Sequence, residues 1–355
     1  MRRRSIVACA TLAVALTASG TASASGGGGK SGFKTAQPSM LTPVMPGVSA
    51  TPLLTVGDVL RSGYRFESIP DGISVRTKGR GRVDLYVNHE TSKVPFPYNA
   101  AAPTAANGEN DFDNAQVSRL NLNPGGRVVG GSFAISSAGG FQRFCSNFLA
   151  TAEEGFDREI LFTNEESPDY VLRREASWPV SIGDPNEKEA GLVVAYDVAS
   201  GTSRTIPGMG RHNHENSVGV PGYGYPVVLS GDDTFDAPAS QLFMYKAASG
   251  AAVWNDQGKL YAFVSDVPAI NDYGDLSTAS PSVTGHFIEV PRAIATGKIN
   301  GREVTSADFG YPRPTDPDPF PSQPTPAMPD GPQWVLEHWS NLNNVFQFIR
   351  IEDTA

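Results

Sequence analysis

The chain has 355 residues, 39% hydrophobic and 18% charged, and its 37 acidic against 28 basic side chains give a formal net charge of −9. A surface this acidic repels phosphate backbones and anionic membranes, which argues against nucleic acid as a partner and suits bound divalent cations. Of the two cysteines, Cys9 lies in the leader described next, so the mature chain keeps Cys145 alone and has no intramolecular disulfide.

Arg2, Arg3 and Arg4 precede a short apolar run, Ile6 to Leu16, and the small residues Ala22-Ser23-Ala24. This is the layout of a secretory signal, so residues 1–24 are expected to be a signal peptide cut after Ala24. Arg3-Arg4-Ser5-Ile6-Val7 also resembles a loose twin-arginine signal, the kind that exports an already folded protein. Without those three arginines the acid excess grows to twelve. No later stretch approaches the roughly twenty apolar residues of a spanning helix. The mature protein is therefore expected to be soluble and secreted, with no membrane span. Residues 25–50, rich in Gly, Ser, Pro and Thr, read as a flexible leader, and residues 51–355 as one large β domain.

Beyond a poor helix candidate at Val56 to Leu60, short apolar or alternating runs predict strands at Val83 to Val87, Val117 to Leu122, Arg127 to Ile135, Glu159 to Thr163 and Leu192 to Val198. Further strands are predicted at Tyr225 to Leu229, Gln241 to Tyr245, Leu260 to Val264, His286 to Val290, Gln333 to Glu337 and Val345 to Ile351. Turn chemistry separates them at Asp71-Gly72, Asn123-Pro124-Gly125-Gly126, Ala199-Ser200-Gly201 and Asp256 to Lys259. The fold class is all-β with little helix. About eleven strands are too many for one sandwich, which favours a β-propeller. Tyr311 to Pro332 holds nine prolines and is expected to be a surface loop. A strong strand next to the end at Ala355 leads us to expect an incomplete, open propeller, since closure is what hides edge strands.

The chain has no Gly-x-Ser-x-Gly elbow, Cys-x-x-Cys, P-loop or zinc-protease histidine pair. It does place acidic groups at the ends of predicted strands: Asn88-His89-Glu90, Asn164-Glu165-Glu166, His214-Glu215-Asn216, Asp232-Asp233 and Arg350-Ile351-Glu352-Asp353. The stretch Pro207 to Lys246 concentrates two histidines, Glu215 and the Asp232-Asp233 pair around one apolar run. Taken singly, each acidic pair is an ordinary solvated turn. On a propeller they would meet at one face, where convergent carboxylates offer hard-cation ligands. Cys145 is either a small buried apolar residue or a thiolate ligand.

In these residues the chain resembles the PhoX-type alkaline phosphatases and their propeller relatives. The resemblance rests on Pro70-Asp71-Gly72, Tyr86 to Glu90, Val117 to Leu120, Cys145-Ser146 leading to Glu165-Glu166, His214-Glu215 ahead of Gly231-Asp232-Asp233, and Arg350-x-Glu352. It implies a six-bladed propeller, exported by the twin-arginine route, that hydrolyses phosphomonoesters with iron (Fe3+) and calcium (Ca2+) ions. It implies Cys145, Glu215 and Glu352 as ligands near the iron pair. Glu90, Glu165, Glu166 and Asp232 or Asp233 would serve calcium, and Arg350, with Glu352, would act on the phosphate. The family's Arg-Pro-Glu appears here as Arg350-Ile351-Glu352, and a family member continues well over a hundred residues further.

The expected function is thus a secreted, metal-dependent phosphatase-like hydrolase, acting as a monomer on small phosphate esters. Two other readings use the same acidic groups: a calcium-stabilised extracellular binding module without chemistry, and a calcium-dependent lactonase- or phosphotriesterase-like hydrolase in which Cys145 is dispensable.

Overall fold

The computed structural model describes residues 32–66, 69–90, 115–167, 170–171, 188–234, 240–277, 282–314 and 330–351. The signal peptide, most of the proline-rich stretch and Glu352 fall outside these residues.

Three antiparallel meanders carry the fold. The first is β1 (Pro70–Thr77), β2 (Val83–His89), β3 (Gln116–Leu122) and β4 (Val128–Ile135), paired in that order. The second begins at β5 (Phe144–Ala150) and β6 (Ile160–Glu165). After the small ribbon β7 (Tyr170–Val171) and β8 (Lys188–Glu189) it continues with β9 (Val193–Asp197) and β10 (Thr202–Thr205), in spatial order β10-β9-β6-β5. The third is β11 (His214–Gly219), β12 (Val227–Asp232), β13 (Leu242–Lys246), β14 (Lys259–Ser265) and β15 (Gly285–Glu289). A second ribbon, β16 (Lys298–Ile299) with β17 (Arg302–Glu303), and three helices complete it: α1 (Gly250–Trp254), α2 (Arg292–Thr296) and α3 (Pro332–Leu342). The described chain is mostly antiparallel β, in several sheets with no closed barrel.

Of the leading strands of the three meanders, β5 packs against both β1 and β11. Burial follows from that arrangement. Strand β9, Val193 to Asp197, is buried at every residue and is apolar from Val193 to Tyr196, whereas the outermost β10 is the polar, largely exposed Thr-Ser-Arg-Thr. Tyr86, Val117, Phe144, Leu161 and Tyr196 fill the space between the first two meanders. Phe162, Val228, Phe243 and Leu260 join Ile294 of α2 and Val335, Leu336 and Trp339 of α3 in the largest core.

Two predicted strands at the C-terminal end take other forms. Gln333 to Glu337 lies within helix α3, which opens with Pro332 at its first turn and is buried at every residue from Pro332 to Ser340. The apolar run inside it, Trp334-Val335-Leu336, is too short to show a helical period and reads equally as a buried strand. Val345 to Ile351 forms only isolated bridges, Val345 to Val264, Gln347 to Asp272 and Phe348 to Ser240, because Asn344 and Arg350 adopt positive φ (53° and 49°) and break the pleat at both ends. Val56 to Leu60 is a tight turn closed by the Val59–Arg65 bridge, not a helix. Asp71-Gly72, expected as a turn, is part of β1.

Strand β1 approaches the backbone of β5 closely at Gly72. A Cβ there would stand 2.5 Å from the backbone nitrogen of Asn147 and 2.7 Å from the carbonyl carbon of Ser146. Gly72→Ala therefore has to force β1 off β5. We expect a loss of about 1–3 kcal/mol, read as a lower urea midpoint at unchanged slope.

Candidate metal centre

Each leading strand carries an irregularity at the same end. The register of β1 shifts between Pro70 and Ile73, that of β5 between Phe144 and Asn147, and that of β11 between His214 and Ser217. A bulge re-aims the side chains it contains, out of the alternating ladder. The residues released are Asp71 and Gly72 in β1, Cys145 and Ser146 in β5, and Glu215 and Asn216 in β11.

Polar side chains fasten these bulges together. Asn88 Nδ2 donates to the Cys145 and Ser146 carbonyls (3.0 and 2.8 Å) and to Thr163 Oγ1 (2.9 Å). Asn147 Nδ2 donates to the Gly72 carbonyl (2.7 Å) and to Asn88 Oδ1 (2.8 Å). Ser146 Oγ donates to the Glu215 carbonyl at 2.6 Å. Backbone carbonyls of all three bulges thus accept hydrogen bonds from this one network.

The result is a cluster centred on the Cys145 thiol, which lies 3.2 Å from Asp71 Oδ2 and 3.4 Å from Glu215 Oε1. Two sets of three ligand atoms, one from Asp71, Glu90 and Cys145 and one from Cys145, Glu166 and Glu215, each fall within 4.8 Å of one another and share the sulfur. That span is about twice a metal–ligand bond. Each set could therefore hold a metal ion, its carboxylates offering hard oxygen donors and the shared thiolate a softer one.

Behind Glu166 stands Asp233, whose carboxylate hydrogen-bonds to it and receives the Arg350 guanidinium in a two-pronged pair, Nε to Oδ1 and Nη2 to Oδ2, both 3.0 Å. Arg350 reaches this position because the C-terminal segment lies against Gly231, where a Cβ would meet Ile351 at 2.7 Å.

Charge crowding shows in the titration of the site. Burial, and then the Asp71 carboxyl beside it, raise Glu90 to about 7, while Arg143 opposes the rise. Burial and then Glu90 and Asp233 raise Glu166 to about 8, and burial and then Glu166 raise Glu215 to about 9. Burial, Glu215 and Asp71 push the Cys145 thiol up as well, so the metal-free site holds protons that bound cations would displace.

The predicted ligands divide. Glu90, Cys145, Glu166, Glu215 and Asp233 converge with Arg350. Glu165 does not: its carboxylate accepts from the backbone N–H groups of Gln142 and Leu192, both at 3.0 Å, and joins two loops. Asp232 also points elsewhere, taking Thr234 Oγ1 at 2.8 Å in a separate cavity. Glu352 lies outside the described residues. Asp71 and Arg143 were missed as site residues. Asp71 was hidden in an Asp-Gly pair that reads as a turn, and nothing in the sequence marked Arg143.

Comparison of the chain with protein-family models, with curated proteins and with solved structures gives no match.

Two outcomes follow. Glu90, Glu166 and Glu215 keep protons well above the ordinary 4.5 of an unfolded glutamate, so each contributes stability that is complete below about 4.5 and lost as pH rises towards 9. The melting temperature of chelator-treated protein should fall across that window, and added divalent metal should flatten the fall. Glu165→Ala should cost about 2–3 kcal/mol by orphaning buried backbone donors while metal content per chain stays unchanged. Glu215→Gln should do the reverse, losing metal with little loss of stability, as read by plasma mass spectrometry beside urea denaturation.

Proposed function

We propose that this chain is an exported, metal-dependent phosphatase-like hydrolase of phosphomonoesters, its three meanders being blades of a β-propeller and its ions a mixed iron–calcium set. The observation that carries the reading is the pair of three-ligand sets sharing Cys145 Sγ, with the Arg350 guanidinium held one carboxylate away. The leader and the likeness to PhoX-type phosphatases read from the sequence support it.

Bound ions would neutralise charge on a transferring phosphoryl group and supply an activated oxygen for in-line attack. The protein's own part is distinct. Asp71, Glu90, Cys145, Glu166 and Glu215 would hold the ions. Asp233 holds the Arg350 fork in one orientation beside the ligand sets, where its positive charge would favour a bound phosphate. The Asn88–Asn147 network keeps the ligand bulges in register while charge on the site changes.

A thiol at the centre favours this reading over the two calcium-only ones, because calcium takes oxygen ligands and has no use for sulfur. In those, Cys145→Ser would keep full metal content and function. Here, Cys145→Ser should remove the softer ion and lower phosphomonoester turnover by at least ~100-fold. Arg350→Lys, which keeps charge but loses the two-pronged grip, should lower kcat/KM by about 10²–10³-fold, the usual cost of one preorganised donor. Turnover of p-nitrophenyl phosphate beside metal analysis checks both. Unchanged turnover in Cys145→Ser would overturn the assignment.

A further inference from the structure

The turn between β1 and β2 is basic in a chain whose acids outnumber its bases 37 to 28. Arg76-Thr77-Lys78-Gly79-Arg80-Gly81-Arg82 places four basic side chains in seven residues, none of them used by the centre at Cys145. The Lys78 N–H donates to the Arg82 carbonyl (2.9 Å) and the Arg82 N–H to the Gly79 carbonyl (3.1 Å), so Lys78 and Arg82 flank one closed turn. That turn is seated on the next one, where a Cβ at Gly81 would stand 3.1 Å from Pro124.

Lys78 and Arg82 line a groove of about 390 Å³ that crosses the first meander, a volume within the range of small-molecule sites. It lies at the opposite end of β2 from Glu90, roughly 20 Å along the strand. The ionic groups in its lining do not balance. Lys78, Arg82 and Arg119 stand against the single carboxylate of Asp84, a surplus of two positive charges.

Asp84 arranges these cations without cancelling them. Its side chain is 1% exposed, and Arg119 Nη2 and Nε both reach its Oδ2, at 2.8 and 3.2 Å. Asn121 Nδ2 takes Oδ1 at 2.7 Å, and Lys78 Nζ stands 3.4 Å from Oδ2. Burial opposes its ionisation, but the hydrogen bonds from Asn121 and Arg119 and the charges of Arg119 and Lys78 hold the carboxyl below the ordinary carboxylate range. Arg76 adds nothing to the surplus, because Glu159 takes its Nε and Nη2 at 2.9 and 2.6 Å. Arg82 forms no ion pair among the described residues. Beside the cations the lining changes to neutral groups, the Asn121, Asn123 and Ser132 side chains and the 57% exposed Val129.

We infer that this groove binds a small phosphomonoester, with its phosphate among Lys78, Arg82 and Arg119 and its hydroxylated body along Asn121, Asn123 and Ser132. A phosphomonoester carries close to two negative charges above about pH 7, which matches the surplus, whereas a carboxylate would leave one cation unmet. Guanidinium and ammonium donors suit phosphate oxygens, and amides with a hydroxyl beside an exposed valine suit the hydroxyls and C–H faces of a sugar. The inference does not rest on the phosphatase reading, since the centre at Cys145 shares none of these residues.

The test is isothermal titration of the full-length, chelator-treated protein with glucose 6-phosphate at low ionic strength, chelation silencing the centre at Cys145. We expect binding that is weakened at least ~10-fold in Lys78→Gln/Arg82→Gln, two exposed positions whose replacement leaves the urea midpoint in place. Ser132→Phe fills the groove and alters no charge, so it should weaken glucose 6-phosphate more than inorganic phosphate. Glucose itself should not bind. Affinity for glucose 6-phosphate unchanged in Lys78→Gln/Arg82→Gln, or equal affinity for glucose, would overturn the inference. So would binding of dextran sulfate alone, which would assign the basic turn to a polyanion.

Discussion

The candidate centre depends on one steric and hydrogen-bonded constraint, the contact among the bulges of β1, β5 and β11. A regular antiparallel strand alternates its side chains between two faces and cannot project neighbouring polar groups along its own axis. Each bulge breaks that alternation at a single place, and the Asn88, Asn147 and Ser146 side chains satisfy the carbonyls that the breaks expose. Because these donors are amides and a hydroxyl, they remain bonded whatever the protonation of the acids around them. The scaffold is thus electrically neutral where the site it carries is not.

Adjacent acidic pairs are used in a consistent way. Of Glu165 and Glu166 the first clamps two loops by their backbone and the second faces the centre. Of Asp232 and Asp233 one enters the cavity under α3 and the other orders Arg350. The His-Glu pairs behave alike. His89 bonds Ser118 and His214 bonds Ser230 inside the sheets, while Glu90 and Glu215 join the centre. In each pair one member is structural and its neighbour is available for chemistry, as expected where a strand leaves a core.

This division also accounts for what could be read from the sequence. Strands with clean apolar runs, such as those around Val117, Val193 and Leu260, were legible because burial imposes their pattern. The three leading strands were not read as strands, since Asp71-Gly72, Cys145-Ser146-Asn147 and His214 to Ser217 look like turns or polar breaks. The features that hid the strands are the bulges that make the site. Acidic groups at strand ends did identify most of the cluster, but sequence could not separate Glu165 from Glu166 or Asp232 from Asp233, because a one-residue difference in direction depends on the local register. Helix α3 was misread for another reason: its apolar run Trp334-Val335-Leu336 is too short to tell a helix from a strand.

The bulge in β5 has a consequence for how such a site is gained or lost. Cys145 and Ser146 occupy one surplus position opposite β6. Excising a single residue there would let Phe144 and Asn147 close into an ordinary pleat, with the apolar partners on both strands still matched. The thiol would vanish from the centre while the sheet lost little. A one-codon deletion there would remove the sulfur ligand while β5 stayed paired with β6, so the ligand set is separable from the sheet that carries it.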